Sequence, residues 1–261
     1  MATMNPRASE SVSFDRAAGF YDATRGLPPE VARAQTALLL DELGDIGRPV
    51  LEIGVGTGRI SAPLADRHQV VGIDLSREML RVLAEKRSGV QAVEADAVRL
   101  PFGSETFGGV LACHVLHLVR DWRGAIDEVR RVLAPGGVLL ASRGRPRTGL
   151  PAELDRRLRR AAGLTGMFIG LDDLDELAAD LTGQGWTAQP LRPIQQPSRW
   201  SVADYFDAIE SNLFSWTWPL SDEQRLAAVQ EVRAWATDEL GDPARTPLPI
   251  GPIRWHAYRR P

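Results

Sequence analysis

Apolar positions near the start of the chain recur at helical spacing. Phe14, Ala17, Ala18 and Tyr21 share one face of Ser9–Asp22, which predicts a short helix there. Pro28-Pro29 stops it. Glu30–Leu43 is a second predicted helix, broken by Gly44 and Gly47-Arg48-Pro49. From residue 50 the pattern changes to short apolar runs, Val50–Ile53, Val70–Ile73, Val90–Val93, Gly109–Cys113 and Val138–Ser142. Helical segments lie between them: Arg59–Arg67, a helix through Lys86 behind a Ser76 cap, and Trp122–Leu133 behind Asp121, stopped by Ala134-Pro135-Gly136-Gly137. Short buried runs alternating with helices predict an α/β fold, a mostly parallel sheet with helices on both faces. Later in the chain, Leu171–Gly183 is a predicted helix and Trp186–Ile194 a strand. Ser201–Leu213 and Ser221–Leu240 are predicted helices flanking Phe214-Ser215-Trp216-Thr217-Trp218-Pro219, and Ile253–Arg259 alternates like a half-exposed strand.

Composition narrows the partners. The 261 residues are 44% hydrophobic and 25% charged, with 31 basic and 34 acidic side chains and a net charge of −3. That balance gives no generally cationic surface for nucleic acid. One cysteine, Cys113, allows no internal disulfide and no cysteine-based zinc site. No run approaches the roughly 20 apolar residues of a membrane span. Met1 to Arg7 lead into no apolar stretch of the secretory kind, so the expected location is cytoplasmic. Lys86 is the one lysine; every other basic residue is arginine.

The chemistry concentrates in Val50-Leu51-Glu52-Ile53-Gly54-Val55-Gly56-Thr57-Gly58-Arg59-Ile60. A strand runs into three alternating glycines and then a helical segment. Glycine lets a ligand lie on the backbone, and a helix start offers free N–H groups to an anion. A dinucleotide fingerprint would put its third glycine at position 59, which is Arg59, and no Gly-Lys-Ser/Thr is present for a P-loop. The second strand ends in Asp74, a carboxylate suited to both hydroxyls of a ribose, and the third in Glu94-Ala95-Asp96-Ala97, where Asp96 suits an exocyclic amine. The competing readings are a ligand-free strand–helix turn and a carboxylate serving only a helix N-terminus.

These segments resemble the class I S-adenosylmethionine-dependent methyltransferases, above all the small-molecule branch with ubiquinone- and menaquinone-biosynthesis-type enzymes. The resemblance rests on Leu51 to Gly58, on Gly72-Ile73-Asp74-Leu75-Ser76 with Met79-Leu80, and on Glu94 to Ala97 with Leu100-Pro101-Phe102. Val132 to Gly137 and the opening Phe14 to Ala18 and Tyr21 to Arg25 add to it. It covers residues 14–142 and fades after 150. It implies S-adenosylmethionine as cofactor and a seven-stranded Rossmann-like sheet whose last strand, near Ile253–Arg259, is antiparallel. It implies one domain with a core of about 42–147, 171–199 and 249–261 and a helical lid of about 1–35 and 200–245. Gly54, Gly56 and Gly58 would lie under the methionine moiety, with Glu52 orienting its ammonium through backbone or water. Asp74 would hold the ribose, Leu75 and Met79 would pack on adenine, and Asp96 and Ala97 would meet its amine. Cys113 backbone would approach the methionine end, and Tyr21 and Arg25 would close over the carboxylate.

The implied activity is methyl transfer to a small-molecule acceptor, with O- or C-methylation favoured. The alternatives are a protein that binds adenosylmethionine or adenosylhomocysteine without methyl transfer, and a nicotinamide-dependent oxidoreductase. Position 108 is Gly where the family usually has Asp, and Ala112-Cys113-His114-Val115 replaces the Asn/Asp-Pro-Pro-Tyr of amine-clamping N-methyltransferases. His114 is the candidate catalytic base, since imidazole titrates near neutrality, while His117 is expected to pack or cap. No clustered ligand set for a metal is evident. Arg143, Arg145 and Arg147 alternate beyond the fifth strand and would guide an anionic acceptor, or be solvated loop residues. The aromatic stretch at 214–218 is either the wall of an acceptor pocket or the core of a helical subdomain.

Overall fold

The computed structural model describes residues 12–143, 148–164, 169–171, 173–198 and 200–261. In chain order the elements are α1 (Tyr21–Arg25), α2 (Pro29–Leu43), β1 (Val50–Ile53), β2 (Val70–Asp74), α3 (Arg77–Glu85), β3 (Gln91–Glu94), β4 (Phe107–Cys113) and α4 (Trp122–Val132). They continue with β5 (Leu133–Ser142), α5 (Leu150–Ala161), α6 (Leu174–Thr182), β6 (Thr187–Pro190), α7 (Val202–Glu210), α8 (Asp222–Leu240) and β7 (His256–Arg259). Two compact units share them. The first holds Met1–Gly144, Phe168–Ile194 and Arg254–Pro261, the second Arg145–Met167 and Gln195–Ile253.

The first unit is built on a seven-stranded sheet in the order β3-β2-β1-β4-β5-β7-β6. Strands β1 to β5 pair in parallel, and β7 runs antiparallel to both neighbours, as expected for the chain's last strand. Every residue of β1 and β4 is buried, Glu52 of β1 included, as strands covered on both faces require. The core gathers Ile53, Ile73, Val110, Leu139 and Tyr258 with Ile126 and Val129 of α4 and Leu177 and Leu181 of α6. The register aligns Ile53 with Ile73 and with Ala112, and Asp74 with Glu94. The C-terminal tips of β1, β2, β3 and β4 therefore lie along one sheet edge, where open α/β sheets bind ligands.

Three local expectations need correction. The helix expected over Ser9–Asp22 is, in its described part, a 3-10 turn at Asp15–Ala17 followed by α1, with Ala18, Gly19 and Phe20 between them. The helix expected over Arg59–Arg67 is reduced to a 3-10 turn at Ala62–Leu64. Pro63 has no N–H to give the Arg59 carbonyl, and Leu64 bonds to Ser61 O at 2.9 Å instead. The Ala134 to Gly137 stop lies inside β5, where the pairing with β4 shifts register between Phe107 and Gly109 and Gly136 takes φ +72°. Gly108 has its own reason. A Cβ there would sit 3.0 Å from Ile46 Cβ and 3.2 Å from Arg48 Cβ, so this loop occupies the space an Asp would need.

The second unit is helical. Helices α5, α7 and α8 bury Leu154, Leu158, Val202, Phe206, Ile209, Val229 and Val232 together. Helix α5 is absent from the sequence expectations. Ser201 and Ser221 start α7 and α8 with reciprocal capping boxes to Asp204 and Gln224. The aromatic stretch packs here: Phe214 lies 5.6 Å from Tyr205 and 6.5 Å from Trp200, ring to ring, and the Arg159 guanidinium lies 4.7 Å from the Trp216 ring centroid. That is the core-packing role.

Candidate active site at the strand tips

One cavity opens at the sheet edge. Its lining includes Tyr21, Gly54, Gly56, Asp74, Leu75, Met79, Asp96, Ala97, Cys113 and His114, ten of the residues singled out from sequence. Val12, Phe14, Val115, Leu118 and Val119 also line it. None of these five was a candidate site residue, although Phe14 lies in a segment that carries the resemblance and Val115 ends the one that replaces the amine-clamping motif. Glu52, Gly58 and Arg25 stand outside the lining.

Each loop glycine has a positive φ, +69° at Gly54, +54° at Gly56 and +79° at Gly58, but their roles differ. A Cβ on Gly54 would meet Val115 Cγ2 at 2.6 Å and one on Gly58 would meet Leu83 Cδ1 at 2.4 Å, so these two allow close packing. A Cβ on Gly56 would meet nothing within 4 Å. Gly56 is the place where the loop backbone is bare toward the cavity.

Asp74 ties the loop to α3. Its Oδ2 accepts from Gly56 N at 2.8 Å and its Oδ1 from Ser76 N at 2.8 Å. A carboxylate has about four acceptor positions, so one on each oxygen remains for a ligand hydroxyl. Burial pushes the Asp74 carboxyl up, against those backbone hydrogen bonds. Asp96 closes a local turn through Val98 N to its Oδ1 at 3.1 Å, which fixes its carboxyl beside Ala97.

Beneath the loop, Glu52 is 2% exposed and accepts a hydrogen bond from Ser61 Oγ. Burial pushes its carboxyl up to about 8, while Ser61 and the Arg59 charge work the other way. In the sequence Arg59 signals only a break in the dinucleotide fingerprint. Its Nε is buried with no hydrogen-bond partner. Its charge acts on Glu52, Cys113, Tyr21 and Asp22, so the loop holds a cation facing several groups of the site. Burial pushes the Cys113 thiol up to about 12, which makes it a packing group and not a nucleophile.

His114 follows β4 at φ +54° and donates its amide to Ser142 O at 2.7 Å. That bond extends the β4–β5 ladder one residue and fixes the imidazole's attachment point at the cavity. His117 lies in the turn Leu116–Leu118, accepts from Gly170 N at 3.2 Å on its carbonyl, and is not part of the lining. Arg143 Nε donates to Leu171 O at 2.9 Å; Arg145 and Arg147 lie outside the described residues. Among the described residues no group of His, Cys, Asp and Glu is placed to hold a metal, and no helix is long and apolar enough to cross a membrane.

Besides the Val12 N–Leu118 O bond at 3.4 Å, two carboxylates tie the N-terminal segment down. Asp15 accepts from Ser76 Oγ at 2.6 Å and from Glu78 N at 3.3 Å, at the start of α3. Asp22 accepts from Thr57 Oγ1 at 2.6 Å. Both partners lie 35 or more residues away in sequence, a distance over which no periodicity speaks.

Comparison with known proteins shows what the chain is similar to. The family described as Methyltransferase domain matches residues 51–141. A demethylmenaquinone methyltransferase of Renibacterium salmoninarum is 34% identical over 145 residues, 54% of this chain and 61% of that protein. A malonyl-[acyl-carrier protein] O-methyltransferase of Methylovorus is 34% identical over 176 residues, 63% of this chain and 59% of that protein. The chain thus spans about three-fifths of the length of these relatives. A SAM-dependent methyltransferase structure from Thermotoga maritima shares the fold, with TM-score 0.58 and 17% identity over 95% of this chain and 98% of that one. Residues 51–141 therefore match a methyltransferase domain, and the fold around them is one that S-adenosylmethionine-dependent methyltransferase structures share.

Proposed function

We propose that the chain transfers the methyl group of S-adenosylmethionine to a small-molecule acceptor, at oxygen or carbon. The observation that carries this reading is Asp74 bridging Gly56 N and Ser76 N in one cavity with Asp96, Ala97 and the bare Gly56 backbone. The cavity fits the cofactor's parts. Asp74 takes the ribose hydroxyls, Leu75 and Met79 the adenine face, and Asp96 with Ala97 the adenine amine. Gly54 and Gly56 pass under the amino-acid end, with Tyr21 of the lining nearest its carboxylate; the half-buried Arg59, with Arg25 and Glu52, stands behind the lining and acts on that end through charge. When bound, the cofactor supplies a methyl group already activated on a sulfonium. The chain's own part is to align the acceptor with that methyl and exclude water, through the apolar wall of Val12, Phe14, Leu118 and Val119. His114 takes the proton of an acceptor hydroxyl or phenol.

Calorimetry with adenosylhomocysteine tests the reading. Wild type binds it and does not bind NAD. Asp74→Ala loses about tenfold or more in affinity, the worth of one charge-assisted hydrogen bond. Unchanged affinity in Asp74→Ala, or binding of NAD alone, overturns the assignment. His114→Ala keeps adenosylhomocysteine affinity and lowers kcat by about 10²–10⁴ with an acceptor from a screen with labelled adenosylmethionine. A kcat within about threefold of wild type removes His114 as base and leaves proximity as the main catalytic contribution.

A further inference from the structure

The one lysine of the chain sits at a junction. Lys86, at the C-terminal end of α3, places Nζ 2.7 Å from Asp22 Oδ2 and 2.7 Å from the Thr57 carbonyl. Thr57 Oγ1 donates to the other oxygen of the same Asp22 carboxylate at 2.6 Å. The three residues form a closed ring of hydrogen bonds. Thr57 is 1% exposed and lies between Gly56 and Gly58 in the glycine loop, and Asp22 follows Tyr21, which lines the cavity.

We propose that Asp22, Thr57 and Lys86 act as a lock that fixes Tyr21 over the glycine loop, making Asp22 and Lys86 positioning residues for retention of the cofactor. The inference rests on the reading of the site as one for adenosylmethionine.

The chemistry of the ring favours lysine. Two acceptors, a carboxylate oxygen and a backbone carbonyl, converge on one point, which suits a compact ammonium with rotatable donors. A guanidinium spreads its donors over a rigid plane. The composition of the chain otherwise excludes lysine, so the exception falls where a point cation is needed. Desolvation pushes the Asp22 carboxyl up, but the Lys86 and Thr57 hydrogen bonds and the charges of Lys86 and Arg59 outweigh it and hold the group below the usual carboxylate value. The Lys86 side chain is 35% exposed and that of Asp22 46%, so the ion pair alone contributes little to folding stability. Its effect lies in ordering: without it, α1, only five residues long and with no buried residue of its own, loses a tie to the loop.

The test measures adenosylhomocysteine dissociation by stopped flow, KM for adenosylmethionine and kcat in Lys86→Met, Asp22→Asn and the double variant. Asp22→Asn is isosteric and keeps the acceptor for Thr57, so it reports the lock even if Lys86→Met folds poorly; thermal unfolding checks both. Each single variant speeds dissociation about fivefold or more and raises KM, with kcat at saturation within about twofold, and the double variant is no worse than the weaker single. Lys86→Arg fails to restore wild-type dissociation. Dissociation within about twofold of wild type in both singles, or fully additive effects in the double, overturns the lock. If wild type itself does not bind adenosylhomocysteine, the cofactor reading fails and the lock with it; if wild type binds and the variants match it, the lock alone fails.

Discussion

Glu52 is the residue whose environment departs most from what its type suggests. It sits in the middle of a fully buried strand, paired in register with Gly72 and Leu111, with a serine hydroxyl as its hydrogen-bond donor. Its folded value of about 8 stands well above the ordinary carboxylate value of 4.5. A group raised in this way favours the folded state fully below the unfolded value and loses that contribution as pH rises through the folded value. Glu52 therefore makes folding stability fall between about pH 4.5 and 8 and level off above. Glu52→Gln removes this slope. Urea unfolding at pH 5 and at pH 8.5 shows the variant gaining on wild type by a few kcal/mol at the higher pH. Parallel behaviour at the two pH values rules out a buried neutral carboxyl at this position. Sequence gave Glu52 a place beside the loop. Its neutrality depends on β2 and β4 closing over both sides, which only the assembled sheet decides.

At the scale of elements, the strand–loop–helix unit from β1 to α3 separates two kinds of glycine. Gly58 faces Leu83 of α3, and Gly56 faces open space. Gly58→Ala brings a positive-φ penalty and a clash with a buried leucine, an expected loss of about 2–4 kcal/mol in chemical unfolding. Gly56→Ala carries the positive-φ penalty alone, about 1 kcal/mol, yet puts a methyl where a ligand crosses the backbone, so adenosylhomocysteine affinity falls more than stability does. Equal stability losses in the two would show that packing against α3 is not what Gly58 provides. The alternation of the three glycines was legible in the sequence; their division of labour was not, because Leu83 reaches Gly58 from α3, a contact no local pattern reports. The same limit explains other elements. Proline at position 63 broke a segment whose composition is otherwise helical. In α5 the apolar positions Leu154 and Leu158 are diluted by Arg156, Arg157, Arg159 and Arg160, which leaves no clear helical stripe in the sequence. Strand ends with Asp74 and Asp96 were legible because β strands in parallel order leave their tips on one edge.

At the scale of the whole molecule, the shift in pattern after residue 150 marked a real change. The second helical unit occupies the chain between β5 and β7, interrupted by α6 and β6 of the first unit. The seven-stranded sheet and its single reversed strand followed from the alternation and the family resemblance together. The position of β7 between β5 and β6 has a consequence for the order of assembly. Strand β6 touches the sheet through β7 alone, and β7 reaches β5 only after a span from Ser142 to His256. Closing so long a span is entropically slow, and β6 has no place to dock until it is done. Amide hydrogens of β6 that face β7 can therefore exchange no more slowly than those of β7, while β1 and β4 hold theirs until global unfolding. Native-state exchange that found β6 outlasting β7 would contradict this. The sheet thus has a seam: one four-residue strand, His256–Arg259, decides whether two strands or none join the five already in parallel.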